Sequence, residues 1–352
     1  MSFDLMLSLR KVLTPLLVAG LTIGTLAAHA THATQIDEVN LYTTREPKLI
    51  QPILDVFSAD TGIKVNTVFI KDGLIERVKA EGEKSPADVL MTVDVGNLID
   101  LVNHGISQPI NSTVLNSAVP ANLRGPEGNW YALSLRDRVA YVAKELDVES
   151  LTYEELADPK WRGKVCIRSG QHPYNTALFA AMIAHNGEQQ TQQWLEGVKA
   201  NLARKATGGD RNVARDILGA ICDIGLANAY YVGQMRTAPE GSDNRAWGDA
   251  IKVVRPTFAK SGGTFVNITG AAVAKSSPNR DNAIKLIEFL VSDKAQQMYA
   301  DANFEMPVKQ GVKPNAIIEG FGPLTVDTLP ISEVAKYRKQ ASQLVDKVGF
   351  NN

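Results

Sequence analysis

Three tyrosines lie in loops that follow stretches predicted to be strands, and the chain contains nine tyrosines in all. Tyr174 follows residues 167–169, and the adjacent pair Tyr230 and Tyr231 follows residues 226–227. A single tyrosine at a strand end usually packs or makes a hydrogen bond at a rim. An ionised phenol oxygen, by contrast, is a ligand for a hard, highly charged cation. Their placement makes these three tyrosines the leading candidates for chemistry.

Motifs for catalysis and for nucleotide binding are missing from the sequence. It contains no GxGxxG, no GxxxxGK[ST], no HExxH and no GxSxG. His104, His172 and His185 show no metal-ligand spacing, so we expect no zinc site. The remaining acidic side chains form no recognisable acid–base pattern. We therefore expect a protein that is not an enzyme.

Length and charge narrow the class further. A chain of 352 residues, 44% of them hydrophobic, suits a globular protein of about two domains. Its 37 Lys and Arg nearly balance 38 Asp and Glu, which leaves a net charge of -1. Because binding to a phosphate backbone requires a basic surface, nucleic acid is not an expected partner.

The N-terminus has the pattern of an export signal. Arg10 and Lys11 precede an apolar stretch at residues 12–28, and small-x-small triplets end at Ala30 and Ala33. The pattern predicts a signal peptide over residues 1–33, cleaved after Ala30 or Ala33. An uncleaved membrane anchor is the alternative, but the stretch is short and rich in Thr and Gly for a span of about 20 residues. We expect an exported protein with no membrane insertion after cleavage.

Cys166 and Cys222 are the two cysteines of the chain. An even number of cysteines in an oxidising compartment favours a disulfide bond between them. Two buried thiols are the alternative.

Strands alternate with helices in the first part of the chain. Strands are predicted at residues 39–42, 63–69 and 87–93, with helices at 49–57 and 74–80 between them. This alternation predicts a mainly parallel sheet, whose ligands bind beyond the carboxyl ends of the strands.

The same pattern restarts after a long extended stretch at residues 130–142. Strands are predicted at 164–168 and 223–227, and a helix begins at Asp210 as its N-cap. Residues 264–268 form the return crossing, an amphipathic helix follows from Asn282 to Ala300, and a final helix runs from Ser332 to Val348. These elements predict two α/β lobes with a cleft between them.

Several segments are similar to the ferric-iron-binding proteins of bacterial ABC importers, which are periplasmic type II binding proteins likened to transferrin. The similarity spans about residues 39–350 and is carried by the segments LYTTRE (41–46), SPADV (85–89), LSLRDRV (133–139), RSGQHPY (168–174), CDIGLANAYY (222–231) and FEMPV (304–308). It implies the type II fold with a hinge of extended crossing strands. The first lobe would comprise residues 34–136 and 265–318, and the second 137–264 and 319–352.

The resemblance also implies a ligand set. In that family the tyrosine doublet and the tyrosine of the RSxxxxYN-type segment coordinate iron, which assigns the ferric ligands to Tyr174, Tyr230 and Tyr231. Many members add a histidine, or a histidine and a tyrosine, after the arginine of the first loop, where this chain has Glu46 and Pro47. Either Glu46 ligates the metal, or a bound anion such as carbonate completes the ligand shell.

Charge balance explains why such a site takes Fe(III). Ionising a phenol with a pKa near 10 at pH 7 costs roughly 4 kcal/mol, which Ca²⁺, Mg²⁺ and Zn²⁺, with their other preferred ligands, do not offset. Three phenolates cancel the charge of Fe(III), so an added anion requires an arginine nearby. Arg45, Arg136 and Arg138 are the candidates, with Arg138 the weakest. Because Arg136 and Arg138 alternate along a strand, we expect one of them to face solvent.

The sequence thus predicts a monomeric periplasmic binding protein that captures Fe(III) as its transported ligand, closes around it and delivers it to an inner-membrane ABC permease. The alternative keeps the fold but binds a small oxyanion or organophosphate without metal, with the tyrosines merely lining the pocket. An exported hydrolase that uses Asp and Glu in the cleft is a third and weaker hypothesis.

Overall fold

A computed structural model describes residues 37–352 of the chain. The predicted signal peptide at residues 1–33 lies outside the described residues. From residue 37 onward, none of the helices is both long and apolar enough to span a membrane.

The strands of this part of the chain form one mixed sheet. In order along the chain they are β1 (Glu38–Thr43), β2 (Lys64–Phe69), β3 (Val89–Thr92), β4 (Ser107–Gln108), β5 (Tyr131–Ala143), β6 (Val165–Cys166), β7 (Ile224–Asn228), β8 (Ile251–Val254), β9 (Val266–Ala274) and β10 (Met306–Pro307). Their spatial order is β2-β1-β3-β9-β5-β7-β6, with β4 beside β9 and with β8 and β10 beside β5.

Helices cover this sheet. They are α1 (Pro47–Thr61), α2 (Leu74–Glu81), α3 (Val95–Asn103), α4 (Thr113–Ala118), α5 (Pro173–Asn186), α6 (Glu188–Ala200), α7 (Asp210–Leu218), α8 (Tyr230–Arg236), α9 (Asp243–Asp249), α10 (Arg280–Leu290), α11 (Asp293–Asn303), α12 (Ala316–Glu319), α13 (Ile331–Ala335) and α14 (Arg338–Lys347).

The first helix shows how the sequence sets these elements. Pro47 stands in the first turn of α1, where its missing N–H costs no hydrogen bond. Apolar residues at helical spacing, from Ile50 to Phe57, are buried against the sheet. Gly62 ends the helix with φ 74°, a left-handed conformation that glycine adopts without strain. The β1–α1 unit therefore fixes the loop between them, residues 44–46, at the carboxyl end of β1.

The prediction of a mainly parallel sheet was wrong. The β1–β2, β1–β3 and β6–β7 pairs are parallel, whereas β9 pairs antiparallel with β3 and β5, and β5 pairs antiparallel with β7. The cause is that β5 and β9 are the crossing strands. The two run antiparallel to each other through the middle of the sheet: β9 runs opposite to β3 on one side, and β5 runs opposite to β7 on the other.

Strand β5 changes partners halfway along its length. From Tyr131 to Asp137 it pairs with β9, and from Arg138 to Val142 it pairs with β7. One continuous strand therefore joins the two halves of the sheet, as expected for an extended crossing.

Separate hydrophobic cores flank the crossing. One core consists mainly of residues 39–135 and 266–308, with Ile331 and Ala335 added from α13. A second core contains residues between 140 and 265 together with Val334 and apolar residues of α14, and a smaller cluster lies around α7 and β7. This arrangement is the two-lobed α/β architecture. The exact lobe boundaries stay a prediction.

Two long predicted helices are each divided. The helix predicted from Asn282 to Ala300 is α10 followed by α11, because the Ser292 hydroxyl accepts a hydrogen bond from the Ala295 N–H and so starts a new helix. The helix predicted from Ser332 to Val348 is likewise α13 followed by α14.

The N-cap of α7 was also predicted one residue too late. Gly209 is the N-cap and Asp210 is the first helical residue. Its carboxylate makes tertiary contacts with other segments instead of capping its own helix.

Cys166 and Cys222 form a disulfide with an S–S distance of 2.08 Å and a sequence separation of 56 residues. Because Cys166 ends β6 and Cys222 lies just before β7, the bond joins the two segments that lead to Tyr174 and to the Tyr230–Tyr231 pair.

Replacing both cysteines by serine should lower the free energy of unfolding by about 4 kcal/mol, because the bond closes a long loop in the unfolded chain. Urea unfolding followed by circular dichroism measures this. Dithiothreitol should produce a similar loss in the wild type and none in the double variant. A loss below about 1 kcal/mol would contradict the expectation.

Candidate metal centre

Two of the three predicted tyrosines, Tyr174 and Tyr230, and two of the three predicted arginines, Arg45 and Arg136, line a cavity of about 210 Å³ between the two cores. Its walls are formed by Thr44, Arg45, Glu46, Leu49, Val93, Arg136, Tyr174, Tyr230, Gln234, Asn303 and Glu305. The first six of these residues belong to or precede the first half of β5, whereas the tyrosines follow strands of the second half. The cavity is thus a cleft site built from both lobes.

Tyr174 is held at the start of α5. Pro173 takes the first helical position, and the ring nitrogen Nδ1 of His172 accepts a hydrogen bond from the Tyr174 backbone N–H at 3.2 Å. Burial, followed by the nearby Arg168, lowers the pKa of His172 to about 4, so the ring is neutral and can accept this bond. His172 is therefore the N-cap of α5.

The tyrosine doublet begins α8, two residues after the end of β7. The rings of Tyr230 and Tyr231 lie 4.1 Å apart between centroids, with 32° between their planes. The hydroxyl oxygen of Tyr230 is 3.4 Å from that of Tyr174. The doublet and the α5 tyrosine therefore converge, although 56 residues separate Tyr174 from Tyr230 in the chain.

Arg45 enters the cavity from the loop after β1 and is almost fully buried. Its Nη1 donates to Thr269 Oγ1 at 3.0 Å and pairs with Glu305 Oε1 at 2.8 Å. Its Nε and Nη2 atoms are buried and make no hydrogen bond to any residue between 37 and 352. These two nitrogen atoms keep donor capacity that an anion could use.

Arg136 is also buried, and its guanidinium lies 5.8 Å from the centroid of the Tyr174 ring. Its Nη2 donates to the backbone carbonyls of Val93 and Ile268. Arg136 therefore places a fixed positive charge beside the tyrosines.

Arg138 lies on the other side of the point where β5 changes partners. Its guanidinium pairs with Asp210 at 2.7 Å and also donates to Asn228 and Asn175. The expectation that either Arg136 or Arg138 faces solvent was wrong: residues two positions apart on a strand lie on the same face, and these two are 4% and 1% exposed. These contacts give Arg138 a structural role, and it is not among the residues that line the cavity.

Glu46 is exposed at the cavity rim, at the N-cap position of α1, where its side chain makes no capping hydrogen bond. Its carboxylate can therefore turn toward the cavity. Tyr42, by contrast, is a buried tyrosine that donates to Glu81 at 3.0 Å and takes no part in the site.

Comparisons with known proteins agree with this geometry. The family model for bacterial extracellular solute-binding proteins matches residues 84–320. The chain is 39% identical to iron uptake protein A1 of Synechocystis over 89% of this chain and 87% of that protein.

The chain belongs to this family of bacterial extracellular solute-binding proteins.

Solved structures support the same assignment. A Bordetella ferric binding protein matches the solute-binding protein with a TM-score of 0.88 and 73% identity, covering 90% of this chain and 100% of that one. A Trichodesmium protein solved in complex with iron and citrate ligands matches with a TM-score of 0.84 and 40% identity, covering 89% and 99%. The expected type II binding-protein fold is confirmed. These relatives are binding and uptake proteins, and the expectation that the chain is not an enzyme is confirmed with them.

Sequence reasoning missed three charged residues of this solute-binding protein's site. The Arg168 guanidinium lies 5.1 Å from the centroid of the Tyr174 ring, and that of Arg211 lies 5.0 Å from the centroid of the Tyr231 ring. Glu305 pairs with Arg45 across the cavity floor. Arg168 lies inside the RSGQHPY segment, so its spacing could have drawn attention to it. Glu305 likewise lies inside the FEMPV segment, whereas Arg211 carries no local pattern.

Burial and mutual repulsion keep the doublet protonated in the metal-free protein. Burial is the main cause that raises the pKa of Tyr230 well above 10, followed by the negative charges that Tyr174 and Tyr231 would carry, while Arg136 opposes the rise. Burial, followed by Tyr174, likewise raises the pKa of Tyr231. A ligand that binds their phenolates must therefore displace protons.

In the iron-free protein, Tyr230 should stay protonated at pH 10, because burial and Tyr174 disfavour its phenolate. Replacing Tyr174 by phenylalanine removes one of these causes and should move the Tyr230 titration to lower pH. Carbon-13 NMR of protein containing ring-labelled tyrosine measures the Tyr230 titration in the wild type and in Tyr174→Phe. The Tyr230 resonance is identified as the one that is missing from Tyr230→Phe. A Tyr230 that is half-ionised at pH 9 in the wild type would contradict this electrostatic account.

Proposed function

We propose that this protein binds Fe(III) through the phenolate oxygens of Tyr174, Tyr230 and Tyr231 and carries it to a membrane permease. The observation that carries the proposal is the convergence of these tyrosines, with the Tyr174 and Tyr230 oxygens 3.4 Å apart. The names of the relatives, which include iron uptake and ferric binding proteins, support it.

The free-energy cost of ionising the tyrosine phenols limits which ions can bind to them. Ionising an ordinary phenol with a pKa near 10 costs roughly 4 kcal/mol at pH 7, and the raised pKa values of the doublet increase that cost. Three adjacent phenolates also repel one another. A trivalent, hard cation offsets both effects, whereas a divalent ion neutralises only two of the three charges.

A small anion completes the ligand shell in this proposal. Three phenolates cancel the metal charge, so an added anion such as carbonate must be balanced by protein cations. Arg45 and Arg136 line the same cavity, and Arg45 offers two buried N–H groups. Glu46 at the rim is the competing first-lobe ligand. Arg138 is left out, because its guanidinium is bound to Asp210 and two asparagines and does not line the cavity.

Closure of the cleft follows from the same arrangement. Tyr174 and Tyr230 belong to the second lobe, and Arg45 and Glu46 to the first, so a metal–anion cluster contacts both lobes only when the cleft is closed. This differential affinity shifts the population toward the closed state. Strands β5 and β9 provide the crossing about which such a motion turns.

The proposal places the protein in the periplasm. The export pattern at residues 1–33 and the periplasmic relatives support this location. The partner would be the inner-membrane ABC permease that accepts iron from the closed protein. We propose that the binding protein acts as a monomer, since each copy carries a complete set of the proposed ligands.

Replacing Tyr230 or Tyr231 by phenylalanine should weaken Fe(III) binding by more than about 100-fold, since even changes outside the ligand shell of a metal cost about 10–100-fold. Adding ferric citrate to the wild type should produce a visible phenolate-to-iron charge-transfer band that weakens in both variants. Competition with citrate, followed at this band, gives the affinity.

Tyr337→Phe is the matched control, because Tyr337 packs against the second core. It should bind iron as the wild type does. A wild type that stays colourless with ferric citrate and instead binds phosphate or an organophosphate, with affinity unchanged in the doublet variants, would support the oxyanion alternative and contradict the proposal.

Iron affinity should fall between pH 7.5 and pH 5. Each ligand must be deprotonated to bind, and the raised pKa values of the doublet mean that protons compete strongly throughout this range. Dialysis of the iron-loaded protein at the two pH values, with circular dichroism to verify the fold, measures the loss. Equal affinity at both would argue against phenolate ligation.

A further inference from the structure

Asp210 is a fully buried carboxylate outside the ligand set. Its Oδ2 accepts hydrogen bonds from Arg138 Nη1 at 2.7 Å and from the backbone N–H of Asn228 at 2.8 Å, and its Oδ1 accepts one from Arg168 Nη1 at 3.1 Å. The side chain has 0% exposure. It also stands in the first turn of α7, where the helix dipole favours a negative charge.

The three partners of Asp210 belong to three different segments. Arg138 belongs to β5, Arg168 to the loop that leads from β6 to Tyr174, and Asn228 is the last residue of β7, two positions before Tyr230. One carboxylate therefore ties together both segments that carry the proposed ligands.

A second set of hydrogen bonds, through Asn175, also connects Arg138 to Arg168. Arg138 Nη2 donates to Asn175 Oδ1 at 2.6 Å, and Asn175 Nδ2 donates to the carbonyl oxygen of Arg168 at 3.0 Å. Asn175 directly follows Tyr174 and is fully buried. The backbone on both sides of Tyr174 is thereby joined to Asp210 and to Arg138.

Arg168 also faces Tyr174 directly. Its guanidinium lies 5.1 Å from the ring centroid, within the range of a cation–π contact, and its side chain is 13% exposed. The pair with Asp210 holds the guanidinium in this position. Arg168 also lowers the pKa of Tyr231, although burial and Tyr174 raise it more.

We propose that Asp210 is a positioning residue for the metal site: it fixes the two tyrosine-bearing segments at the separation that the metal requires and directs the Arg168 guanidinium at the Tyr174 ring. This inference rests on the proposed binding of Fe(III) by the three tyrosines. The net charge of the network is consistent with this role. Arg138 and Arg168 carry two positive charges and Asp210 carries one negative charge, which leaves an excess of one positive charge. That excess stabilises the negative charge that iron ligation places on the phenols.

The test compares Asp210→Asn with Asp216→Asn. Asp216 is also buried in α7 and pairs with Arg204 and Arg215, so its replacement controls for the loss of a buried charge in the same helix. We expect Asp210→Asn to weaken Fe(III) binding by about 10–100-fold and to shift the charge-transfer band and the electron paramagnetic resonance spectrum of the bound iron. Asp216→Asn should stay within about twofold of the wild type, with an unchanged spectrum.

Arg168→Gln separates the electrostatic effect from folding. It leaves the Asp210–Arg138 pair intact, so its urea midpoint should stay near that of the wild type while iron affinity falls by about tenfold. Arg168→Lys should recover part of the loss, because it keeps the charge. If Asp210→Asn does not fold, the iron affinities of Arg168→Gln and Arg168→Lys test the inference instead.

Wild-type affinity and spectrum in Arg168→Gln, or in a folded Asp210→Asn, would overturn the inference. If the doublet variants still lost iron in that case, the proposed function would stand without it. Failure of the proposed function itself has a different signature, which is unchanged iron binding in Tyr230→Phe and Tyr231→Phe.

Discussion

The close approach of phenol oxygens in a buried site is the main physical constraint on the candidate metal centre. Two of these oxygens lie 3.4 Å apart, and the doublet adds a third ring in contact with the second. Neutral phenols tolerate this proximity, but phenolates do not unless a cation lies between them. Burial keeps the doublet protonated in the metal-free site, and in the proposed function a highly charged metal replaces those protons.

The fold brings the phenols together through local elements that are individually ordinary. Tyr174 and Tyr230 each stand at the start of a helix that follows a strand, and β6 and β7 are parallel neighbours. Their carboxyl ends meet at one edge of the sheet, which is where ligands bind in α/β proteins. The Cys166–Cys222 disulfide and the Asp210 network hold the two strand–helix junctions from different sides. Across the cleft, Arg45 and Arg136 supply the opposite charge from the first lobe.

Much of this organisation could be predicted from the sequence. Hydrophobic periodicity located most strands and helices, and the resemblance selected Tyr174 and the doublet. The local sequence pattern could not reveal the direction of β5 and β9, because a crossing strand and a strand of a βαβ unit show the same kind of apolar pattern. It could not separate the roles of Arg136 and Arg138 either. Their difference depends on the partner change of β5 and on Asp210, which lies 72 residues from Arg138 in the chain.

Resonance Raman spectroscopy of the ferric-loaded wild type identifies the groups that bind the metal, because excitation in the visible band enhances only vibrations of groups bonded to it. If the tyrosines ligate iron, we expect enhanced tyrosinate ring modes that shift when the protein is made with ring-deuterated tyrosine. Enhanced modes that are insensitive to this labelling, in a protein that nevertheless holds iron, would show that the metal is bound by other groups and would contradict the account.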